Sequence, residues 1–354
     1  MNRSGSTFQG PGKGHFSCAM EQSMHSMTGN VNQAPAPILA FKQLPQEVVC
    51  FKQVAHGRPV FWIHAAAGGN SIWQYQRIAN VSERTLYAIK PPSIDITHYW
   101  LSGIEARASY YVALITSIDP DGPYDLGGYS MGSTLAYEVT RQLVLMGHKV
   151  QSLVLIDPTD MSSVQAWAAA HNNSDLGAQS LVLRTMNFSL LHDDSTQGKT
   201  ARGSLIHRDD VSGYTNLDAF IERIYDLGVQ RGLRLAKDQF MLRVIQDHQL
   251  LESLVCNGYN RSLPEHCEVQ VYLFVNRSRA MQGTAAPYIL MSDYLSRGIE
   301  ENYNAEWLVK CRRFKITELE CTTHFMLLFE AESLKPCVEL CRKLYQLGPV
   351  SPVR

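Results

Sequence analysis

Gly128-Tyr129-Ser130-Met131-Gly132 fits the pattern G-x-S-x-G. A serine hydroxyl becomes a nucleophile only when a base takes its proton, and the base needs an acid to orient it. In this pattern the serine sits on a sharp strand-to-helix turn. Glycine on either side avoids clashes, because the following helix passes close to the strand, and the hydroxyl stands exposed above the sheet. The N–H of Met131, at the helix start, can donate to an oxyanion. The competing reading is a glycine-rich turn with a structural serine. Context separates the two: Tyr124 to Tyr129 reads as a strand, and a helix follows.

Asp157 is the acid the spacing supports. It closes the strand Val150–Ile156, directly after the helix that follows Ser130, and so emerges at the same sheet edge. Its competing reading is a turn residue before Pro158. The rival place for an acid is the end of the next core strand, but Val275-Asn276-Arg277-Ser278 carries no carboxylate. Among twelve histidines, His324 follows the last weak strand and precedes the terminal helix, where a base arriving after Ser and Asp in chain order belongs. His64 is the competitor. It precedes the serine, closes the first strand, and lies beside Ala65 and Ala66, whose N–H groups could complete an oxyanion hole. A role in holding that loop suits His64 better than proton transfer.

The elements that must position these residues follow from periodicity. Strands are expected at residues 59–64, 85–90, 124–129, 150–156 and 269–275, with a weak one at Phe314–Thr317. Helices are expected at 103–118, from Thr134 to Gly147, and over 333–346. Strand, helix, strand at this spacing is the rhythm of a parallel α/β sheet. Residues 161–265 are polar and helix-like and read as a helical insertion, its histidines mostly as solvated loop residues. Residues 1–45, rich in Gly, Ser, Gln, Asn and Pro, read as a flexible leader or linker, Gln33-Ala-Pro-Ala-Pro37 above all. Trp62, Trp73 and Tyr75 read as core, as do Cys337 and Cys341 at helical spacing.

Composition narrows the function classes. The 354 residues are 45% hydrophobic and 18% charged, which excludes wholesale disorder. A net charge of −1 supplies no field for gathering phosphates, so nucleic acid is not the expected ligand. No apolar run approaches the ~20 residues of a membrane-spanning helix. Eight scattered cysteines without a CxxC pair indicate neither a disulfide framework nor a zinc or thioredoxin-type site. Free thiols and an N-terminus without an apolar signal core point to the cytosol.

Three stretches together resemble a known family. PVFWIHAAAGGN resembles the first strand and oxyanion loop of thioesterase domains from nonribosomal peptide and polyketide synthases. DPDGPYDLGGYSMGSTLAYEVTRQLVLMGHKVQSLVLIDP resembles the family's most specific stretch, and THFMLL its histidine loop. The likeness covers about residues 46–160 and 266–346 and leaves the insertion unmatched. It implies an α/β-hydrolase fold over 46–350, with 161–265 as a lid. It implies Ser130 as nucleophile, Asp157 as acid, His324 as base, and Ala65 and Met131 as oxyanion donors, with Ala66 the alternative to Ala65. The sequence departs from the family's pattern at Ser133, where a second glycine is common, and at Ala65, where a proline commonly follows the histidine.

The implied activity is release of an acyl chain from a phosphopantetheine thioester on an acyl or peptidyl carrier protein, by hydrolysis or cyclisation. No cofactor or metal is implied, since the pantetheine arm belongs to the carrier. The Met1 start and lack of a carrier domain suggest a separate polypeptide acting in trans, and an excised terminal domain of a synthase would look the same. Arg312-Arg313 with Lys315 reads as a solvated face, or as a contact for an acidic carrier. The alternatives are an editing thioesterase, a carboxylesterase or lipase on oxygen esters, and a non-catalytic binding protein on the same scaffold. The length of the insertion favours product release over editing, since a lid can shield an acyl-enzyme from water.

Overall fold

The computed structural model describes residues 44–66, 68–92, 103–159, 175–195, 205–256, 259, 261–291, 304–311, 313–324, 326–327, 330 and 332–347. Nearly all of the expected leader, residues 161–174 and 196–204 of the insertion, and Arg312 lie outside them.

Seven strands form one sheet: β1 (Val48–Lys52), β2 (Val60–Ile63), β3 (Leu86–Ile89), β4 (Tyr124–Tyr129), β5 (Val150–Ile156), β6 (Gln270–Asn276) and β7 (Phe314–Leu319). Their order is β1-β3-β2-β4-β5-β6-β7, with β1 antiparallel to β3 and every other pair parallel. All of β2 and β4 is buried. Strands covered on both faces lose the polar alternation of a half-solvated sheet and read as continuous apolar runs.

The two-residue period of the strand sorts those runs between two cores. Phe61, Ile63, Leu153 and Leu155 face one side and pack with α2 (Ile104–Ile118) and α3 (Met131–Leu145). Val60, Trp62, Val154 and Ile156 face the other and pack with α1 (Gln76–Val81) and α8 (Lys335–Leu344). Cys337 and Cys341 lie fully buried in this second core, as their spacing predicts. Trp62 and Tyr75 are core too, but Trp73 is not. It is 46% exposed, its ring edge against Phe51.

Between β5 and β6 stand α4 (Asp175–Ser195), α5 (Leu217–Gln230) and α6 (Lys237–Cys256). They build a third apolar cluster, which also recruits Ala285, Ile289 and Leu290 from the chain after β6. His248 is buried on α6 and so is not a solvated loop histidine, whereas His207 is a half-buried loop residue whose side chain caps a short turn. Among the described residues no helix is long and apolar enough to cross a membrane.

Three elements had no counterpart in the sequence pattern: β1, α1 and α7 (Ala305–Lys310). The helices α1 and α7 are six residues long, less than two turns and too short for a helical period to register. In addition, α3 starts at Met131, not Thr134. Its first turn holds Gly132, a weak helix former that tertiary packing overrides.

That packing demands glycine. A Cβ on Gly132 would lie 2.4 Å from the Ile63 carbonyl oxygen and 2.6 Å from that of His64, and one on Gly128 would lie 2.2 Å from the Gly132 carbonyl oxygen. At Gly147, past the end of α3, a Cβ would meet nothing within 4 Å, and only the φ of +88° opposes it. Gly147→Ala is therefore expected to lower the free energy of unfolding by about 1–2 kcal/mol. Gly132→Ala, which must displace backbone, is expected to lose more than about 3 kcal/mol or to fail to fold. Denaturant unfolding of the two variants checks the order.

Candidate active site

Ser130 sits between β4 and α3 with φ 55° and ψ −124°, a left-handed conformation that a side-chain-bearing residue adopts only under constraint. The constraint is visible. The Ser130 N–H donates to the Ile156 carbonyl at 2.9 Å, and the Ser133 N–H donates to the Ser130 carbonyl at 2.9 Å. The Ser133 hydroxyl donates to the Gly128 carbonyl at 2.8 Å, with the Ile156 carbonyl at 3.2 Å. The serine that departs from the family's glycine thus ties the turn down from beneath. Met131 is the first residue of α3, with its N–H at the helix N-terminus.

Asp157, also at positive φ (45°), is fully buried directly after β5. A buried carboxylate needs compensating donors. Its Oδ1 accepts from the Asn276 N–H at 2.9 Å and from Asn304 Nδ2 at 3.3 Å. Its Oδ2 lies 2.9 Å from His324 Nδ1. Asn304 is held in turn by Arg279, whose guanidinium donates to its side-chain oxygen. The rival strand end without a carboxylate therefore serves the acid through its backbone, at Asn276.

His324 completes the line. With a carboxylate at Nδ1, that nitrogen carries the proton, and Nε2 accepts from the Ser130 hydroxyl at 2.8 Å. The histidine is 8% exposed. Its own N–H donates to the Ala280 carbonyl at 2.8 Å. Ser130, Asp157 and His324, separated by up to 194 residues, are thus brought into one hydrogen-bonded row. Asn304 and Asn276 belong to no motif, and no signal in the sequence marks them.

His64 is occupied elsewhere. Its Nδ1 lies 2.8 Å from the Ala65 carbonyl oxygen, so it donates there, and Nε2 accepts from the Tyr111 hydroxyl at 2.7 Å. Burial pushes its pKa down to about 3, the Ala65 carbonyl opposing and the Arg107 charge assisting. It is a neutral loop anchor. The bond also sets the peptide joining Ala65 and Ala66. In a trans peptide the N–H points opposite the C=O, so the Ala66 N–H faces away from the His64 ring. Ala65 is 3% exposed, whereas Ala66 is half-buried. Arg313 and Lys315 are exposed beside and on edge strand β7. Among the described residues no group of three or more His, Cys, Asp or Glu side chains is placed to hold a metal ion.

Comparison with known proteins places this geometry in a family. Residues 58–201 match the family model of the thioesterase domain. The chain is similar to polyketide synthase PksR of Bacillus subtilis, 33% identical over 302 residues, which is 84% of this chain and 11% of that protein. It is also similar to a probable thioesterase, gloN, of Glarea lozoyensis, 36% identical over 110 residues, 31% of this chain and 38% of that one. The chain spans about a tenth of the length of the first relative. Among solved structures it shares the fold of a region of a four-domain nonribosomal peptide synthetase bound to AMP and glycine. The TM-score is 0.61 at 21% identity, over 86% of this chain and 20% of that one.

The buried neutral His64 makes stability depend on pH with a definite sign. Its folded pKa lies below the unfolded value of 6.5. As pH falls below 6.5, the unfolded chain binds a proton that the folded chain refuses, and stability declines. The slope from this group approaches about 1.4 kcal/mol per pH unit. Urea unfolding of the wild type and of His64→Gln from about pH 4 to pH 7 should show the shallower slope in the variant. Equal slopes would contradict the assignment.

Proposed function

The chain carries a thioesterase domain of the polyketide and nonribosomal peptide synthase type, and on that premise we propose that it releases an acyl chain from a carrier-protein phosphopantetheine thioester through an acyl-enzyme on Ser130. The observation that carries this reading is the row Ser130 Oγ, His324 Nε2, His324 Nδ1, Asp157 Oδ2, with contacts of 2.8 and 2.9 Å. His324 takes the hydroxyl proton as Oγ attacks the thioester carbonyl. Two backbone N–H groups hold the resulting oxyanion: that of Met131 and that of Ala66, preferred over Ala65 for the direction its peptide is given by His64. The C–S bond then breaks, and the leaving sulfur receives the proton from His324. Water, or a hydroxyl or amine of the acyl chain itself, gives up a proton to His324 and attacks the ester carbonyl; the bond to Oγ breaks, and His324 returns the proton to Oγ, restoring Ser130. Asp157 holds the imidazole in the required tautomer and stabilises the imidazolium.

No step in this sequence calls for a metal or a nicotinamide. The partner is an acyl or peptidyl carrier protein, which brings the pantetheine arm. Residues 46–350 act as one domain, and the helices within 161–265 serve as the lid over the acyl chain. Cys50, Cys267, Cys311, Cys321, Cys337 and Cys341, the cysteines whose side chains are described, are unpaired thiols, which fits a reducing cytosolic compartment.

Incubation with a panel of acyl pantetheine thioesters, followed by intact mass, tests the proposal. The wild type is expected to show a transient acyl adduct and thiol release, and Ser130→Ala neither. Product mass separates hydrolysis from cyclisation. Turnover of simple oxygen esters with no thiol release would replace this reading with a carboxylesterase. Asp157→Asn is expected to keep the fold and lower kcat about 10³–10⁴-fold.

A further inference from the structure

Tyr129, the residue before the nucleophile, lies under the base. Its ring centroid is 5.0 Å from that of the His324 imidazole, with the planes 23° apart. Its hydroxyl donates to the His324 carbonyl oxygen at 2.5 Å. Its backbone N–H donates at 3.2 Å to the hydroxyl of Tyr75, which donates at 2.7 Å to the carbonyl of Ile63. Ile63 ends β2, immediately before His64 and the Ala65-Ala66 loop. Both phenols are buried, which drives their pKa values upward, for Tyr129 with the Asp157 charge adding to the effect. They remain protonated donors.

His324 itself belongs to neither helix nor strand. Without ladder hydrogen bonds, a loop is located by the side chains it meets, and an error of about 1 Å in a catalytic group can cost about a hundredfold in rate. The Tyr129 ring supports one face of the imidazole, and its hydroxyl pins the backbone of the same residue. Because Tyr129 is bonded to Ser130, any displacement of the elbow carries the base with it.

We propose that Tyr129 is a positioning residue for His324, and that the Tyr129–Tyr75 pair sets the base, the nucleophile turn and the oxyanion loop in a common register. The inference takes the roles of Ser130 and His324 from the function proposed above.

Two readouts test it on Tyr129→Phe, Tyr129→Leu and Tyr75→Phe. One is steady-state turnover of an acyl pantetheine thioester. The other is the rate at which a fluorophosphonate modifies Ser130, followed by intact mass, which needs the Ser–His geometry but no acyl substrate. Tyr129→Phe keeps the stack and loses the hydroxyl. It is expected to lower kcat and the phosphonylation rate about tenfold, with KM within about twofold of wild type. Tyr129→Leu loses both contacts and is expected to fall about a hundredfold. Tyr75→Phe is expected to lie between wild type and Tyr129→Phe. Rates are normalised to folded protein, with thermal midpoints measured alongside. If Tyr129→Leu does not fold, the two phenylalanine variants decide. Wild-type kcat and phosphonylation in Tyr129→Phe, or a change confined to KM, would overturn the inference. A wild type that is phosphonylated but releases no thiol would refute the thioesterase reading and leave the positioning test standing on phosphonylation. An inert Ser130 would overturn both.

Discussion

The close approach of α3 to the sheet at Gly128 and Gly132 is the constraint on which the rest depends. No Cβ fits at either position, so the helix can cross β2 and β4 at backbone contact distance. That crossing forces Ser130 to positive φ. A residue held there costs on the order of 1–3 kcal/mol and persists only where its surroundings over-determine it. Here the Ser130 N–H, the Ser130 carbonyl and the Ser133 hydroxyl are all committed to neighbouring backbone. The strain lifts one hydroxyl off the sheet edge with its direction set.

Asp157 shows the same logic in electrostatic form. A fully buried carboxylate is tolerable because donors from two different segments meet it, the Asn276 backbone and the Asn304 side chain, in addition to His324. These donors occupy one oxygen and leave the other for the imidazole. The geometry that stabilises the charge therefore also selects the tautomer that the base needs. The two histidines of this region have different partners. His324 faces a carboxylate and a hydroxyl, whereas His64 faces a carbonyl, a phenol and a guanidinium's charge. For His64, burial above all holds the ring neutral, with the Arg107 charge assisting and the Ala65 carbonyl opposing.

The linear arrangement of residues determined a good deal by itself. The continuous apolar runs specified a sheet buried on both faces, because strands covered by helices have no solvent face to mark with polar residues. The G-x-S-x-G spacing specified the turn, because only glycine survives a Cβ-free approach. Chain order and strand ends singled out Asp157 and His324, because the C-terminal ends of parallel strands share one edge. Local pattern carries such information when the constraint is itself local.

What only the tertiary structure decided are contacts between distant segments. Tyr129 meets His324 across 195 positions, Asn304 meets Asp157 across 147, and Tyr111 meets His64 across 47. None has a period or spacing of its own, since each depends on where whole elements come to rest. Trp73 lay exposed where its neighbours Trp62 and Tyr75 were buried, because a short 3-10 turn (Gly68–Tyr75) presents its residues to both sides. The orientation of the peptide after Ala65 is likewise set by a contact that no local pattern marks, the hydrogen bond from His64 to the Ala65 carbonyl. Residue types name the groups able to do chemistry, but the direction of a hydrogen bond exists only once the chain has folded around it.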